Sequence, residues 1–224
     1  MSTVPPAMPP VVAGKERPRV RVFIDYWNFQ ISINRREAEI TKNPNTRFLI
    51  DWLKFPLSVA EHAAKAAKIP KISFEGAHVY ASYNPKSSED KKFNAWITTW
   101  LDRQPGIQVK CFERQTKNPP ICPKCHQPIA VCPVAACGAS MTRTVEKGVD
   151  TALAIDMVRL AWEDAYDLAV LVSSDADLVP AVEFLDLKGR RVVQAGFPPS
   201  GVHLATASWA SFDLFACREE FRRA

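Results

Sequence analysis

Residues 168–195 read LAVLVSSDADLVPAVEFLDLKGRRVVQA. The uncharged run from Leu168 to Ser173 has the length and apolar continuity of a strand covered on both faces. A polar break, Ser174 to Asp177, precedes a segment whose apolar residues recur at helical spacing from Leu178, and Gly189 is placed to end that helix because glycine adopts the left-handed conformation at little cost. Arg191 to Ala195 (RVVQA) is predicted as the next strand. Strand, helix and strand in so short a span is the repeating unit of a parallel sheet, since parallel neighbours need a crossover between them.

The same alternation extends upstream. Arg19 to Asp25 (RVRVFID) alternates charge with valine and then becomes apolar, as a strand entering a core does, and it ends at Asp25. A helix within Leu49 to Lys68, begun or kinked at Pro56, leads to a strand over Ile72 to Ser82. Lys91 to Arg103 places Phe93, Trp96, Ile97, Trp100 and Leu101 on one helical face, and Ile107 to Glu113 forms a third strand. Asp150 to Trp162 is an apolar-faced helix, and His203 to Phe215 is expected as a last helix on the sheet. These elements predict a layered α/β fold with a central, mostly parallel sheet flanked by helices. Residues 1–18, with five prolines, are expected to be a disordered leader to a main domain spanning 19–224.

In such a sheet, side chains just beyond the carboxyl ends of strands share one crevice. Asp25 and Asp175 occupy that position. Asp177 lies two residues further on, at the mouth of a helix, and Asp150 opens another helix behind Lys147 and Gly148. Crowded carboxylates repel one another unless a cation neutralises them, and a hard oxygen donor set suits Mg²⁺ or Mn²⁺. Phosphodiester hydrolysis is the chemistry that follows, by one ion or by two about 4 Å apart. The alternative for each aspartate is a turn or a helix cap. Asp156, on another helical face, is expected to pair with Arg159.

Four of the six cysteines, Cys122, Cys125, Cys132 and Cys137, lie close together. The first pair has the spacing of a metal-binding knuckle, so residues 118–141 are expected to form an insertion that holds a structural Zn²⁺ through four sulfurs. A redox dithiol is the competing reading. His126 is expected to be a bystander, and Cys111 and Cys217 are expected to be core thiols.

The stretches FIDYWNF, EKGVD and SSDADLVPAVEFLDLKGRRVVQAGF closely resemble the NYN domain family, a branch of the PIN-like nucleases that includes LabA-like proteins. The resemblance spans about Arg19 to Phe215 and implies a metal-dependent ribonuclease with a central parallel sheet. It implies an active site of Asp25, Asn28, Asp150, Asp175 and Asp177. Ser174 and Ala176 stand where the family usually has glycine and serine.

A net charge of +5 permits a polyanionic partner without requiring one. Lys147 and Arg143 are candidate phosphate contacts, joined more weakly by Arg35, Arg36, Lys91, Lys92, Arg190 and Arg191. Trp27 and Tyr83 are candidate platforms for unpaired bases, which favours single-stranded RNA. No apolar run approaches the roughly 18 residues needed to cross a bilayer, and a cytoplasmic location is expected. A protein partner or homo-oligomer is left open, as are an RNA-binding module with little turnover and a nuclease acting on DNA.

Overall fold

The computed structural model describes residues 17–134 and 137–223. Most of the expected leader lies outside them. Of its last two residues, Pro18 is buried, and its carbonyl accepts a hydrogen bond from Ser73 N at 2.9 Å, so the folded body begins slightly before Arg19.

Six parallel strands form the central sheet: β1 (Arg19–Asp25), β2 (Ser73–Tyr83), β3 (Ile107–Glu113), β6 (Leu168–Val172), β7 (Arg191–Gly196) and β8 (Ala210–Asp213). Their order is β3-β2-β1-β6-β7-β8. A separate antiparallel pair, β4 (Gln115–Lys117) and β5 (Arg143–Val145), carries the cysteine segment between its two strands.

The apolar run of β6 is buried at every residue, as a strand covered on both faces must be. On one face, Val20, Val22, Ile24 and Val170 pack with residues of α1 (Tyr26–Thr41) and α2 (Phe55–Ala66), including Phe29, Ile33, Phe55 and Val59, and with Ile97 of α3 (Ser88–Thr99). On the other, Phe23, Tyr80, Ala169 and Leu171 meet Leu153 and Met157 of α4 (Val149–Trp162), Val182 and Leu185 of α5 (Val179–Leu187) and Leu204 of α6 (Val202–Ala207). Pro56 stands in the first turn of α2, where its missing N–H costs nothing.

Two elements differ from the sequence expectation. α1 fills a stretch the apolar pattern leaves unassigned, because half of it (NRREAEIT) is polar and its start is set by a cap rather than by periodicity. The expected helix over His203 to Phe215 is three elements: α6 stops at Ala207, β8 follows as an edge strand, and a 3₁₀ helix runs from Leu214 to Phe221. Trp209 N donates to Val192 O at 2.9 Å, which draws the chain to the edge of β7 before a second helical turn of contacts is made. Four residues of edge strand are too few to display a period of two.

The amino ends of the strands are tied by charge. Asp167, fully buried, accepts from Arg19 N at 2.9 Å and from Arg19 Nη2 at 2.9 Å, while Arg190 donates to Tyr166 O at 2.6 Å and to Asp164 at 2.7 Å. Arg191 pairs with Asp186. Arg190 and Arg191 therefore serve the end of the sheet opposite Asp25, and their proposed role as phosphate contacts is corrected: in a parallel sheet every strand start lies at the same end.

The β1–β2 register slips between Val20 and Val22, where β2 carries one extra residue as a bulge. Gly76 sits there at φ +108°, and a Cβ on it would lie 2.5 Å from Gly106 O, whose carbonyl accepts from Ala77 N. Gly76→Ala is expected to lower stability by about 1–3 kcal/mol in urea unfolding; an unchanged midpoint would contradict the bulge's role.

Candidate active site

With β2 on one side of β1 and β6 on the other, successive crossovers leave the centre of the sheet in opposite directions, and a crevice opens at the carboxyl ends of these two strands. Asp25 is the last residue of β1 and is only 4% exposed. Its Oδ1 caps α1 by accepting from Asn28 N at 3.2 Å, and its Oδ2 accepts from Ser173 Oγ at 3.2 Å. Asn28 is thus inside the first turn rather than at the cap. Its Oδ1 reaches across the crevice to accept from Ser174 N at 2.9 Å.

Beyond β6, Asp175 N donates to Ser173 Oγ at 3.1 Å, and Asp175 Oδ1 accepts from Asp177 N at 2.9 Å, capping a 3₁₀ turn over Ala176–Leu178. Ser173 is therefore bonded to both the Asp25 carboxylate and the Asp175 backbone, which ties the two strand ends together. Buried Gln194 supports them from β7, donating to Ser173 O at 3.0 Å and to Gly201 O at 3.3 Å. Ser174 fits here because Gly201 faces it: a Cβ on Gly201 would lie 2.9 Å from Ser174 Cα. Asp25 and Asp175 each cap a helical turn at the edge of the crevice.

Burial pushes the Asp25 carboxyl up to about 7; hydrogen bonds from Asn28 N and Ser173 Oγ partly offset this, and the charges of Asp150 and Glu146 add to it. Asp150, in the first turn of α4, is also raised, by burial and by Asp175, Glu146 and Asp177. Asp150 is thus the aspartate that feels the other three sequence-predicted carboxylates, Asp25 across the crevice and Asp175 and Asp177 beyond β6. Asp177 is exposed at its rim. Glu146 is a carboxylate that sequence reading missed; its place in EKGVD, just ahead of Lys147, was the available signal. Asp156 lies elsewhere, buried, accepting from Tyr80 Oη at 2.8 Å and pairing with Lys110 at 2.7 Å and Arg159 at 3.4 Å.

The donor set in the crevice is hard oxygen carrying mutually repelling charge, which fits a divalent cation such as Mg²⁺ or Mn²⁺. As placed, no three His, Cys, Asp or Glu side chains among the described residues stand close enough together to hold one ion. That holds for the cysteine segment as well, so the four-sulfur group expected of residues 118–141 is not assembled. Its two turns are nonetheless formed. Cys122 N donates to Gln127 O and His126 N to Cys122 O, both at 2.9 Å, while Cys132 N donates to Ala139 O at 2.8 Å. Bridges Ile121–Pro128 and Val131–Ser140 close each turn. Cys111 packs half-buried against the core, and Cys217 is buried.

Of the expected substrate contacts, Lys147 and Arg143 are exposed, on either side of Glu146 in sequence. Trp27 is half-buried. Its Nε1 donates to Ser82 O at 2.6 Å, and its ring lies 4.9 Å from that of Phe93, with the Arg114 guanidinium 5.4 Å away. Tyr83, half-buried, ends β2 and donates to Glu113 at 3.5 Å. Arg36 is engaged by Asp213 at 3.3 Å and Pro198 O at 3.1 Å, and Arg35 by Ser200 at 3.4 Å, whereas Lys91 and Lys92 are exposed on α3.

A carboxyl whose folded value stands above its unfolded value of about 4 holds its proton more tightly in the folded state, so stability falls as pH rises from about 4 to about 7 and is level beyond. Asparagine keeps the cap and cannot ionise. In EDTA, Asp25→Asn is expected to stabilise the fold at about pH 8 by on the order of a few kcal/mol, seen as a higher melting temperature, with the gain fading toward about pH 4. An equal effect at both pH values would contradict the buried-carboxyl reading.

Comparison with known proteins follows the same lines. No curated protein matches the chain. A solved structure of a protein of unknown function from Vibrio parahaemolyticus is similar over 94% of this chain and 99% of that one, at 15% identity and a TM-score of 0.48. A family model, the NYN domain, matches residues 19–213, from the start of β1 to the end of β8. The chain belongs to the NYN domain family, whose members are generally nucleases and usually use divalent metals.

Proposed function

We propose that the protein is a divalent-cation-dependent endoribonuclease that hydrolyses phosphodiester bonds of single-stranded RNA. The observation that carries this reading is the buried Asp25 carboxylate at the switch point of the sheet, facing Asp150, with hydrogen-bond donors from Asn28 and Ser173 but with other carboxylates as its charged neighbours. Asp25, Asp150, Asp175 and Asp177 would hold Mg²⁺ or Mn²⁺, which when bound supplies an activated water and offsets charge building on the phosphate.

The chain's own groups set the rest. Asp25 gives up its proton as pH rises through about 7, which readies the crevice for a cation. Asn28, its oxygen committed to Ser174 N, keeps its NH₂ group to donate to a water or a phosphate oxygen. Lys147 and Arg143 contribute positive charge toward the RNA backbone, and Tyr83 and the edge of Trp27 offer ring surface to unpaired bases. Free thiols throughout suit a reducing compartment, the cytoplasm.

The cysteine segment takes up a structural Zn²⁺ on Cys122, Cys125, Cys132 and Cys137. Support comes from the two closed turns and from the backbone N–H groups of Cys125 and Lys124, which lower the Cys122 thiol as a knuckle does. Uptake would draw the two turns together.

Cleavage of labelled RNA and DNA strands with Mn²⁺, Mg²⁺ or EDTA tests the main reading. RNA cleavage is expected only with a divalent ion, and Asp25→Asn and Asp175→Asn are each expected to lose at least about a hundredfold in rate. Binding without cleavage would contradict turnover, and preference for DNA would contradict the substrate. For the ribbon, unfolding the purified protein in a zinc-sensitive dye is expected to release about one Zn²⁺ per chain, and none after Cys125→Ser with Cys137→Ser. A zinc-free wild type would overturn that assignment.

A further inference from the structure

Helix α1 buries one stripe, Tyr26, Phe29, Ile33 and Glu37, and residues 42–48 fold back along its outer side. Between helix and loop lies a groove of about 440 Å³, lined on α1 by Trp27, Gln30, Ile31, Asn34 and Arg35 and on the loop by Arg47. Its head adjoins the acidic crevice, because Trp27 shares the first turn of α1 with Asn28, and Asp25 caps that turn. From Trp27 to Arg35 the helix rises about 12 Å, a span of a few nucleotides.

The charge at the far end of the groove is unmatched. Arg35 and Arg47 are exposed, donate only to Ser200 Oγ at 3.4 Å and Thr46 O at 3.5 Å, and pair with no carboxylate among the described residues. Neighbouring arginines are neutralised: Arg36 by Asp213, and Arg218 and Arg222 by Glu37. Two guanidinium groups on facing walls repel each other, and an anion between them removes that repulsion while filling their forked donors.

The middle of the groove is built from amides. Gln30 Nε2 donates to Asn34 Oδ1 at 3.0 Å and to Phe48 O at 3.3 Å, and Asn34 Oδ1 also accepts from Phe48 N at 2.8 Å. These bonds pin the loop and orient both side chains. They leave Gln30 Oε1 and Asn34 Nδ2, an acceptor and a donor, without a protein partner among the described residues. An acceptor beside a donor complements the edge of a nucleobase, which an unpaired strand exposes. Ile31, 61% exposed, adds apolar surface next to them.

Resting on the ribonuclease reading above, we infer that this groove holds the stretch of single-stranded RNA that runs out of the crevice along α1. The edge of Trp27 meets a base at the head, Gln30 and Asn34 meet a base edge in the middle, and Arg35 and Arg47 clamp a backbone phosphate beyond.

The test is fluorescence anisotropy of labelled single-stranded RNA in EDTA, where no cleavage is expected, over a range of salt. The wild type is compared with Arg35→Gln plus Arg47→Gln, and with Lys65→Gln plus Lys71→Gln, which removes as much charge from exposed positions toward the amino end of the sheet. The arginine variant is expected to bind about tenfold more weakly, and its log affinity to fall less steeply with log salt by about 0.7 per arginine, while the lysine variant stays near the wild type. In cleavage with Mn²⁺, the loss should appear in KM rather than kcat, because the groove lies outside the crevice. Wild-type affinity and slope in the arginine variant, or an equal loss in the lysine variant, would overturn this inference and leave the ribonuclease reading standing. Wild-type dimers that vanish in the arginine variant with RNA binding intact would make the groove a contact between copies and overturn it too. A wild type that binds no RNA would overturn both.

Discussion

A carboxylate buried at the end of a parallel strand is costly to ionise, and the fold around Asp25 is arranged about that cost. Asp25 cannot move away from the crevice, because it caps α1 through Asn28 N and is bonded to Ser173 at the end of β6. The same bonds join the loops of two strands far apart in sequence, so the geometry of the site follows from how the sheet closes its own switch point. Behind these loops, Gln194 bonds Ser173 O, and Gly201, lacking a side chain, leaves the room that Ser174 occupies.

The two ends of the sheet divide the chemistry. At the amino end, buried Asp167 is satisfied by Arg19, and Arg190 bonds the neighbouring turn, so charges there meet partners and hold strands. At the carboxyl end, burial and neighbouring carboxylates raise both Asp25 and Asp150. Ion pairs at the first end are structural; unmatched carboxylates at the second are what a cation-dependent nuclease needs.

Much of this was legible in the sequence, and the parts that were not share a cause. The strand ending at Asp25 and the strand just ahead of Asp175 announce themselves through apolar runs, and sheet geometry then brings their carboxyl ends together. Helix α1 and edge strand β8 are invisible to periodicity, one because half of it is polar and the other because it is four residues long. The cap of α1 is Asp25, and Asn28 stands inside its first turn. Glu146 and Ser82 were missed because their bond spans 64 residues and crosses the ribbon, which no local pattern reports. The cysteines behave in the intermediate way: short-range spacing foretells two closed turns, and these form, while the gathering of four sulfurs depends on contacts between turns that the described residues do not make.

The central claim is that the raised Asp25 carboxyl is the group a divalent cation engages. Titration of the metal-free protein with Mn²⁺ by calorimetry at about pH 6, in two buffers of different ionisation enthalpy, counts the protons released on binding. With Asp25 raised to about 7, the account predicts release approaching one proton at that pH and little at about pH 8. Mn²⁺ binding that releases no proton at about pH 6 would contradict it.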